Sequence, residues 1–551
     1  MPTTTFALRM LAWLKAAGVR RVFGIPGGLA HPLFVALGDD PELELVVTRH
    51  EEGAAFMADG SARASGELAA CAATAGPGAT NLLTGVACAH ADGIPLIALT
   101  GQAARRTIGL GTSQECAREG IDLVGMFASV SAWSSMIGRP EDLDRHMAAA
   151  LRAQRAGRPA PIHLNVPVDL WSQPVADGPI APPVAPRCVD LDAVDLAAAA
   201  LEQADEPLIL VGSGAIGARH LLAEFAERLD ADVVTTPRAK GLFPEDAPRS
   251  LGVLGFGGQA AARRAAYEES DLLLAIGATL NETTTSGFLP GLCEGRRVVQ
   301  IDVDPTRIGR AYPVDVGVVG DASAVLTALL AALSSRTPRP RRASARTPDP
   351  AEPTPASAAL HPARWRQELQ AALPARAVIF SDIGGHMLFN LRHLRIGAGQ
   401  RFVLNLGFGS MGHGTAAPIG AALAFAGSRP VIAIVGDACL GMNGMELLTA
   451  VEVGAQVVWI VEDNQMHGIT WHGARALEGR GMDAVVPRHP LDVAAWSRAL
   501  GLPTWVVDGP GQIADALSRA LPGPGLIQVR VDPSVAPPLG ERARAFEGFQ
   551  R

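Results

Sequence analysis

Short apolar runs punctuate the chain, and each stops at a polar residue or a glycine. "LELVVT", "PLIALT", "PLILVG", "DLLLAIG", "RVVQID", "AVIFSD", "PVIAIVG" and "VVWIVED" are of this kind. Between them lie Ala- and Leu-rich stretches of helical character. Runs that are apolar at every position, instead of at every second one, belong to strands covered on both faces. Their alternation with helices predicts an α/β chain of mainly parallel sheets. In such sheets ligands bind beyond the carboxyl ends of the strands, so the informative residues are expected just after each run.

Two Pro-rich stretches without hydrophobic period interrupt the pattern, "SQPVADGPIAPPVAPR" at 172–187 and "SSRTPRPRRASARTPDPAEPTPAS" at 334–357. Both read as extended linkers. A chain of 551 residues exceeds one core, and the linkers divide it into three expected domains, 1–172, 188–333 and 358–535. Each is expected to be a doubly wound sheet. The first segment, "MPTTTFALRMLAWLKAAGVRRV", carries an apolar patch, but Lys15, Arg20 and Arg21 interrupt it at helical spacing. An amphipathic first helix is expected there, not a signal peptide.

Composition removes several classes. No uninterrupted apolar stretch reaches the length of about 18 residues that a spanning helix needs, so a soluble protein without a membrane partner is expected. A formal net charge of -8 argues against nucleic acid. The six cysteines, Cys71, Cys88, Cys116, Cys188, Cys293 and Cys439, stand singly. That pattern suits reduced thiols in a cytoplasmic protein.

Three motifs carry candidate chemistry. "PLILVGSGAIG" places Gly212, Gly214 and Gly217 after a strand, with Asp230 beyond, which matches a dinucleotide fingerprint. In a chain with 60 glycines the plainer reading, a tight strand-to-helix turn, is preferred. "TRHEEGAAFMADGSARA" sets Glu51 and Glu52 at the start of a small-residue helix. An unpaired carboxylate buried there would be costly, which asks for a purpose. The third motif runs from Gly436-Asp437 to Asp463-Asn464, one strand–helix–strand crossover apart. Parallel strands joined in this way bring both polar ends to one rim. A carboxylate and an amide oxygen together suit a hard cation such as Mg2+ that shares its shell with phosphate oxygens, and amides at the following helix start can meet phosphate.

With these motifs in place, the chain resembles the thiamine-diphosphate enzymes of the acetolactate synthase, pyruvate oxidase and benzoylformate decarboxylase type. Gly436 to Asn464 resembles that family's diphosphate motif, with Ala438 in place of its second glycine and Asp463 in place of its first asparagine. "VFGIPGG", "ATAGPGATNLLTGVACAHADGIPLIALTGQ", "TPRAKGLFPEDAP", "VVQIDVDP" and "GSMGHGTAAPIGAALA" follow in matching order. The resemblance therefore implies a pyrimidine-binding, a central and a diphosphate-binding domain.

It also implies site residues. Mg2+ falls to Asp437, Asn464 and the carbonyl of Met466. Glu51 becomes the acid that exchanges a proton with the cofactor's aminopyrimidine nitrogen, helped by a pocket that raises a carboxyl pKa, and Glu52 an ordinary neighbour. Met411 becomes the apolar support beneath the bent cofactor. Gly384, Gly385 and His386 fall on the loop contacting the diphosphate. The rest of the implied cofactor-binding set is Pro26, Gly27, Gly28, Gly409, Gly436, Ala438, Cys439, His467 and Gly468. Gln114 matches a glutamine near the reacting centre, and His413 is preferred over His90, His467 and His472 as a pocket histidine.

The implied reaction is decarboxylation of a 2-oxo acid and transfer of the acyl unit to an acceptor, in a homodimer or homotetramer with sites between subunits. The chain leaves the acetolactate synthase pattern at "LNETTTSG", where Thr283 stands in place of the arginine that holds a second oxo acid. "MHGITWHGARALEG" likewise replaces a tryptophan-bearing stretch. A different acceptor is expected, with simple decarboxylation or a flavin-dependent oxidation as alternatives. FAD in the central domain is allowed by the resemblance and supported by no residue of the chain.

Overall fold

The computed structural model describes residues 3–184, 188–335 and 359–540. They form three six-stranded sheets in which every strand pair is parallel. The first sheet runs, edge to edge, Glu44–Val47, Arg21–Gly24, Ala69–Ala73, Leu96–Gln102, Ile162–Pro167, Trp133–Met136. The third runs Arg401–Leu404, Val378–Ser381, Val431–Gly436, Val457–Asp463, Gly525–Arg530, Thr504–Val507. Numbered within its own domain, each has the order 2-1-3-4-6-5, so the outer sheets share one topology. The middle sheet runs Ser250–Val253, Asp232–Thr235, Pro207–Val211, Leu272–Ile276, Arg297–Asp302, Val316–Val319. Its order, 3-2-1-4-5-6, is that of dinucleotide-binding folds.

Central strands such as Ala69–Ala73, Val431–Gly436 and Val457–Asp463 are buried at every position, as parallel strands roofed on both faces must be. The shared topology of the outer sheets has a consequence for the site. The helix after the second strand is Glu51–Ser65 in one and His413–Phe425 in the other, and these two equivalent helices pack on each other. A Cβ on Gly60 would fall 1.9 Å from the Ala417 carbonyl oxygen, and one on Gly420 would fall 1.8 Å from that of Met57. The small-residue composition of both helices is thus a requirement of backbone-to-backbone contact. One hydrophobic cluster joins the two domains, running from Phe23, Phe56 and Met57 to Ile419, Phe380 and Trp459. The central domain has clusters of its own around Phe225, Ile276 and Leu208.

The first helix, Phe6–Ala16, turns Phe6, Met10, Leu11, Trp13 and Leu14 into the core. The stretch read as the first linker holds a strand, Pro174–Ala176, paired antiparallel with Thr3–Thr5. Three residues sufficed to make that ladder, too few to show a period in sequence. Residues 185–187, and 336–357 of the second linker, lie outside the described residues. All six cysteines are free thiols. Among the described residues no helix is long and apolar enough to cross a membrane.

The dinucleotide-like glycines sit at the switch point of the middle sheet, but their amides are engaged. Gly212 N donates to the Ile276 carbonyl at 2.9 Å and Gly214 N to that of Gly277 at 3.1 Å. A 3-10 turn, Ser213–Ala218, follows instead of an α-helix. Gly212 and Gly214 serve close packing against the loop of Gly277, while Gly217 faces open space.

Candidate functional site

Two groups of loops at the strand ends hold the residues singled out in sequence. In the N-terminal domain they follow three adjacent strands. Gly27 backs onto Thr74, whose side chain would lie 2.5 Å from a Cβ, and the Thr74 hydroxyl accepts from Leu29 N at 3.2 Å. Pro26 and Gly28 are exposed beside it. Glu51 opens the helix Glu51–Ser65, whose N-cap is His50. It is half-buried, and Asn81 Nδ2 donates to its carboxylate at 2.9 Å. The expectation of an acid buried without a partner therefore changes: in this chain the acid has one amide donor and an open side. Gly78 lies against the same carboxylate, with a 3.1 Å approach for a Cβ, and Gly76 against Gln114 at the same distance. Gln114 is exposed and holds φ at +60°, a strained setting for a non-glycine residue. The turn after Ala69–Ala73 thus lies against both Glu51 and Gln114.

In the C-terminal domain, strand register makes the second group. Gly436 pairs with Glu462, so Asp437 lies beside Asp463, with Asn464 one residue beyond. Burial, and then the Asp463 carboxylate, push the Asp437 carboxyl up to about 7. No Lys, Arg or His pairs with Asp437 among the described residues. Glu462, by contrast, is neutralised by the buried guanidinium of Arg366 at 2.6 Å. Asp463 accepts from Gln528 at 2.6 Å through one oxygen, while the other is buried without a partner among the described residues. Asn464 Oδ1 accepts from Met466 N at 3.2 Å across a turn in which Gln465 has φ +56°. The Met466 carbonyl accepts from Gly468 N at 2.8 Å. Gly468 admits this turn, since a Cβ there would meet Asn464 Nδ2 at 2.5 Å. His467 N-caps the helix Gly468–Glu478.

The rim is completed by loops that the metal motif does not contain. His386 is buried and held neutral, its pKa driven down to about 3 by burial and by Arg366. Its Nε2 has no partner among the described residues, and it packs on Gly384 and Gly436. Cys439 Sγ donates to the Ile383 carbonyl at 3.1 Å, tying the helix Asp437–Asn443, which also holds Ala438, to the loop of Gly384 and Gly385. Met411 is half-buried against the shared core, between Gly409 and Gly412, both at positive φ.

Sequence reasoning missed Asp382, the last letter of "AVIFSD". Its buried carboxylate accepts from Ile383 N at 2.7 Å, Gly412 N at 3.0 Å and Gly414 N at 3.1 Å. It therefore pins the loop under Met411 to the loop carrying Gly384. An acidic residue directly after a strand was the available signal. His413 occupies a different setting from a substrate pocket. It is 1% exposed, and its Nε2 lies 2.6 Å from Asp59. Asp59 in turn pairs with Arg63, Arg63 with Asp92, and Asp92 with Arg238. That chain of contacts links all three domains. His90 is half-buried, and His472 Nε2 is engaged by the Pro533 carbonyl.

An acidic oxygen without a cation among the described residues, an amide oxygen and a backbone carbonyl are donors of the kind that a hard divalent ion takes. The unpartnered imidazole nitrogen of His386 and the glycine loops around it suit phosphate oxygens. The residues present thus fit a diphosphate with its metal on one rim and an acid on the other. Among the described residues, Glu51 makes no hydrogen bond to the loop of Asn464 and Met466.

Family models of the thiamine pyrophosphate enzymes match all three domains: the N-terminal TPP binding domain over residues 4–123, the central domain over 194–329, and the C-terminal TPP binding domain over 382–531. A probable acetolactate synthase large subunit of Methanocaldococcus jannaschii is 33% identical, over 96% of this chain and 92% of that protein. A putative acetolactate synthase large subunit of Mycobacterium tuberculosis is 32% identical, over 96% and 98%. The acetolactate synthase isozyme 1 large subunit of Escherichia coli is 29% identical, over 94% and 92%.

Proposed function

The chain belongs to the thiamine pyrophosphate enzyme family, and on that premise we propose that it decarboxylates a 2-oxo acid and transfers the acyl unit to an acceptor, using thiamine diphosphate and Mg2+. One observation carries the reading: the register that sets Asp437 beside Asp463, one residue before Asn464, leaves a carboxylate without a cation among the described residues at a rim of phosphate-ready loops. Asp437, Asn464 and the Met466 carbonyl would hold the metal. His386 and the loop of Gly384 and Gly385 would meet the diphosphate, and Met411 would support the bend. When bound, the cofactor would supply a carbon nucleophile for the oxo group and an electron sink for the pair left by departing CO2.

Glu51 holds or releases the proton of the aminopyrimidine ring, with Asn81 fixing the carboxylate's direction. Gln114, held at strained φ beside the same turn, orients the substrate's polar atoms. His413, tied to Asp59, takes no chemical step in this reading. The half-site of Glu51 meets the metal half-site of a second copy, so the active unit is at least a homodimer. The free cysteines support a cytoplasmic location.

The acceptor differs from that of the synthases the chain is similar to. Thr283 donates to Asn281 Oδ1 at 3.0 Å within a loop where Leu280, Ser286 and Phe288 all hold positive φ, and it offers no cation to a second carboxylate. The same substitution favours the second reading, a decarboxylase that releases an aldehyde. Incubation with thiamine diphosphate, Mg2+ and a panel of 2-oxo acids, with and without aldehydes, separates the two. CO2 release with new carbon–carbon products by mass is expected. CO2 with aldehyde alone would establish the second reading, and no CO2 from any acid would end both.

A further inference from the structure

Glu446 opens the helix Glu446–Val453 of the C-terminal domain, yet its carboxylate is occupied by the N-terminal domain. Oε1 accepts from His50 N at 2.9 Å and from Arg49 N at 3.1 Å; Oε2 lies 3.2 Å from Arg49 N and accepts from the Thr449 hydroxyl at 2.6 Å. The residue is 1% exposed. A Cβ on Gly53 would stand 2.2 Å from Oε1, so the first turn of the helix Glu51–Ser65 admits this carboxylate because residue 53 has no side chain. Arg49 is held a second time by Glu452, and Glu52 accepts from Asn443 Nδ2 at 3.2 Å.

The two amides gripped by Glu446 belong to the residues directly before Glu51. Amides at a helix start have no partner within the helix and favour negative charge nearby. The helix has its local cap, His50 Nδ1 accepting from Glu52 N at 3.2 Å, while the amides of Arg49 and His50 just before it take their partner from another domain, from the helix pair that begins at Asp437. We propose that Glu446 is a positioning residue: by holding the backbone of Arg49 and His50 it fixes where the Glu51 carboxylate points, and so couples the proton-exchanging acid to the helices behind the metal loop. This inference rests on the reading of Glu51 given above. The Thr449 hydroxyl supports it, because it holds the Glu446 side chain in place from its own helix.

Three variants test it. Glu446→Asp withdraws the carboxylate by one methylene, Glu446→Gln keeps its shape, and Gly53→Ala displaces it without touching any acid. The first readout is amide hydrogen exchange across residues 49–54 in the cofactor-free protein. Loss of a charge-assisted hydrogen bond should speed exchange there by at least about tenfold in Glu446→Asp. The second is exchange of the C2 hydrogen of bound thiamine diphosphate, which should slow by roughly 100-fold when the acid is misplaced by about 1 Å. Affinity for thiamine diphosphate and Mg2+ should stay at the wild-type value. In a Glu51→Gln background, Glu446→Asp should slow C2 exchange no further, as coupled residues require.

Wild-type C2 exchange in Glu446→Asp beside slow exchange in Glu51→Gln would overturn the positioning role and leave Glu51 standing. Wild-type exchange in Glu51→Gln would remove the reading of Glu51 and the inference with it. Additive slowing in the double variant, or loss of cofactor affinity, would show that Glu446 does not act through Glu51. Should Glu446→Asp fail to fold, Glu446→Gln and Gly53→Ala carry the same comparisons, and a wild-type C2 rate in both overturns the proposal.

Discussion

Gly60→Ala tests how the two halves of the chain are held together. Gly60 lies within the helix Glu51–Ser65, and a Cβ there would fall 1.9 Å from the Ala417 carbonyl oxygen. Carbon–oxygen contacts of this sort ordinarily lie at about 3.3–3.6 Å, so the helices must part by more than about 1 Å. Both atoms belong to backbones, and neither can swing aside. Overpacking of this type costs typically about 1–3 kcal/mol, against a gain of roughly 0.5–1 kcal/mol for removing a mid-helix glycine. Gly38→Ala supplies the control. It lies in the helix His31–Asp39 of the same domain, where an added Cβ meets nothing within 4 Å. The difference between the two variants isolates the overpacking cost, about 1–3 kcal/mol, read as the shift of the urea midpoint at constant slope. Parting the helices also moves Glu51 and the loop under Met411, which start them, so cofactor affinity should fall in Gly60→Ala alone. If Gly60→Ala raises the midpoint as Gly38→Ala does, the helices are not in backbone contact and the shared scaffold is misdescribed.

The remaining expectations concern the metal loop, the buried charges and assembly. Asp437→Ala should abolish retention of thiamine diphosphate in Mg2+ titrations, because the diphosphate loses the carboxylate that anchors its cation; wild-type affinity would refute the ligand assignment. Asp59→Asn should destabilise the fold by about 3–5 kcal/mol at neutral pH, since Arg63 and His413 lose their shared buried partner. Burial opposes the Asp59 charge, but Arg63 and His413 outweigh it and hold the carboxyl at about 2, below its ordinary 3.8. Its stabilisation is therefore present above 3.8 and lost as pH falls through about 2, so variant and wild-type midpoints should converge over that range. Light scattering at assay concentration should show a homodimer or larger, and a fully active monomer would contradict sites built between copies.

The parallel sheets were legible because their strands are apolar at every position, and a run such as "PVIAIVG" has few other uses. The placing of Asp437 and Asn464 on one rim was legible for the same reason: one crossover fixes both ends, and the register pairs Gly436 with Glu462 just before them. Contacts made across domains were not. Glu446 meets Arg49 from 397 residues away, and no local pattern announces it; Asp382, within one domain, holds amides of a loop 30 residues on, and only its place after a strand hinted at it. His413 looked like a pocket residue because its glycine-rich segment is, but its partner Asp59 lies on the opposing helix. Glu51 was expected to be enclosed, and it is half-buried with Asn81 as donor, because what faces it is not local in sequence. The strand Pro174–Ala176 escaped notice because Pro174 and three-residue length both argue against a strand.

The central claim is that Glu51, and not the acid beside it, moves the proton that readies the cofactor. Glu51→Gln keeps the shape of the side chain and the acceptor for Asn81 but cannot exchange that proton. Glu52→Gln keeps an acceptor for Asn443. Exchange of the C2 hydrogen of bound thiamine diphosphate, followed in deuterated buffer for both variants, separates them. Slowing by about 100- to 10,000-fold in Glu51→Gln, the range of general acid–base contributions, with a wild-type rate in Glu52→Gln, is the predicted result. Equal rates in the two variants, or slower exchange in Glu52→Gln, would contradict it.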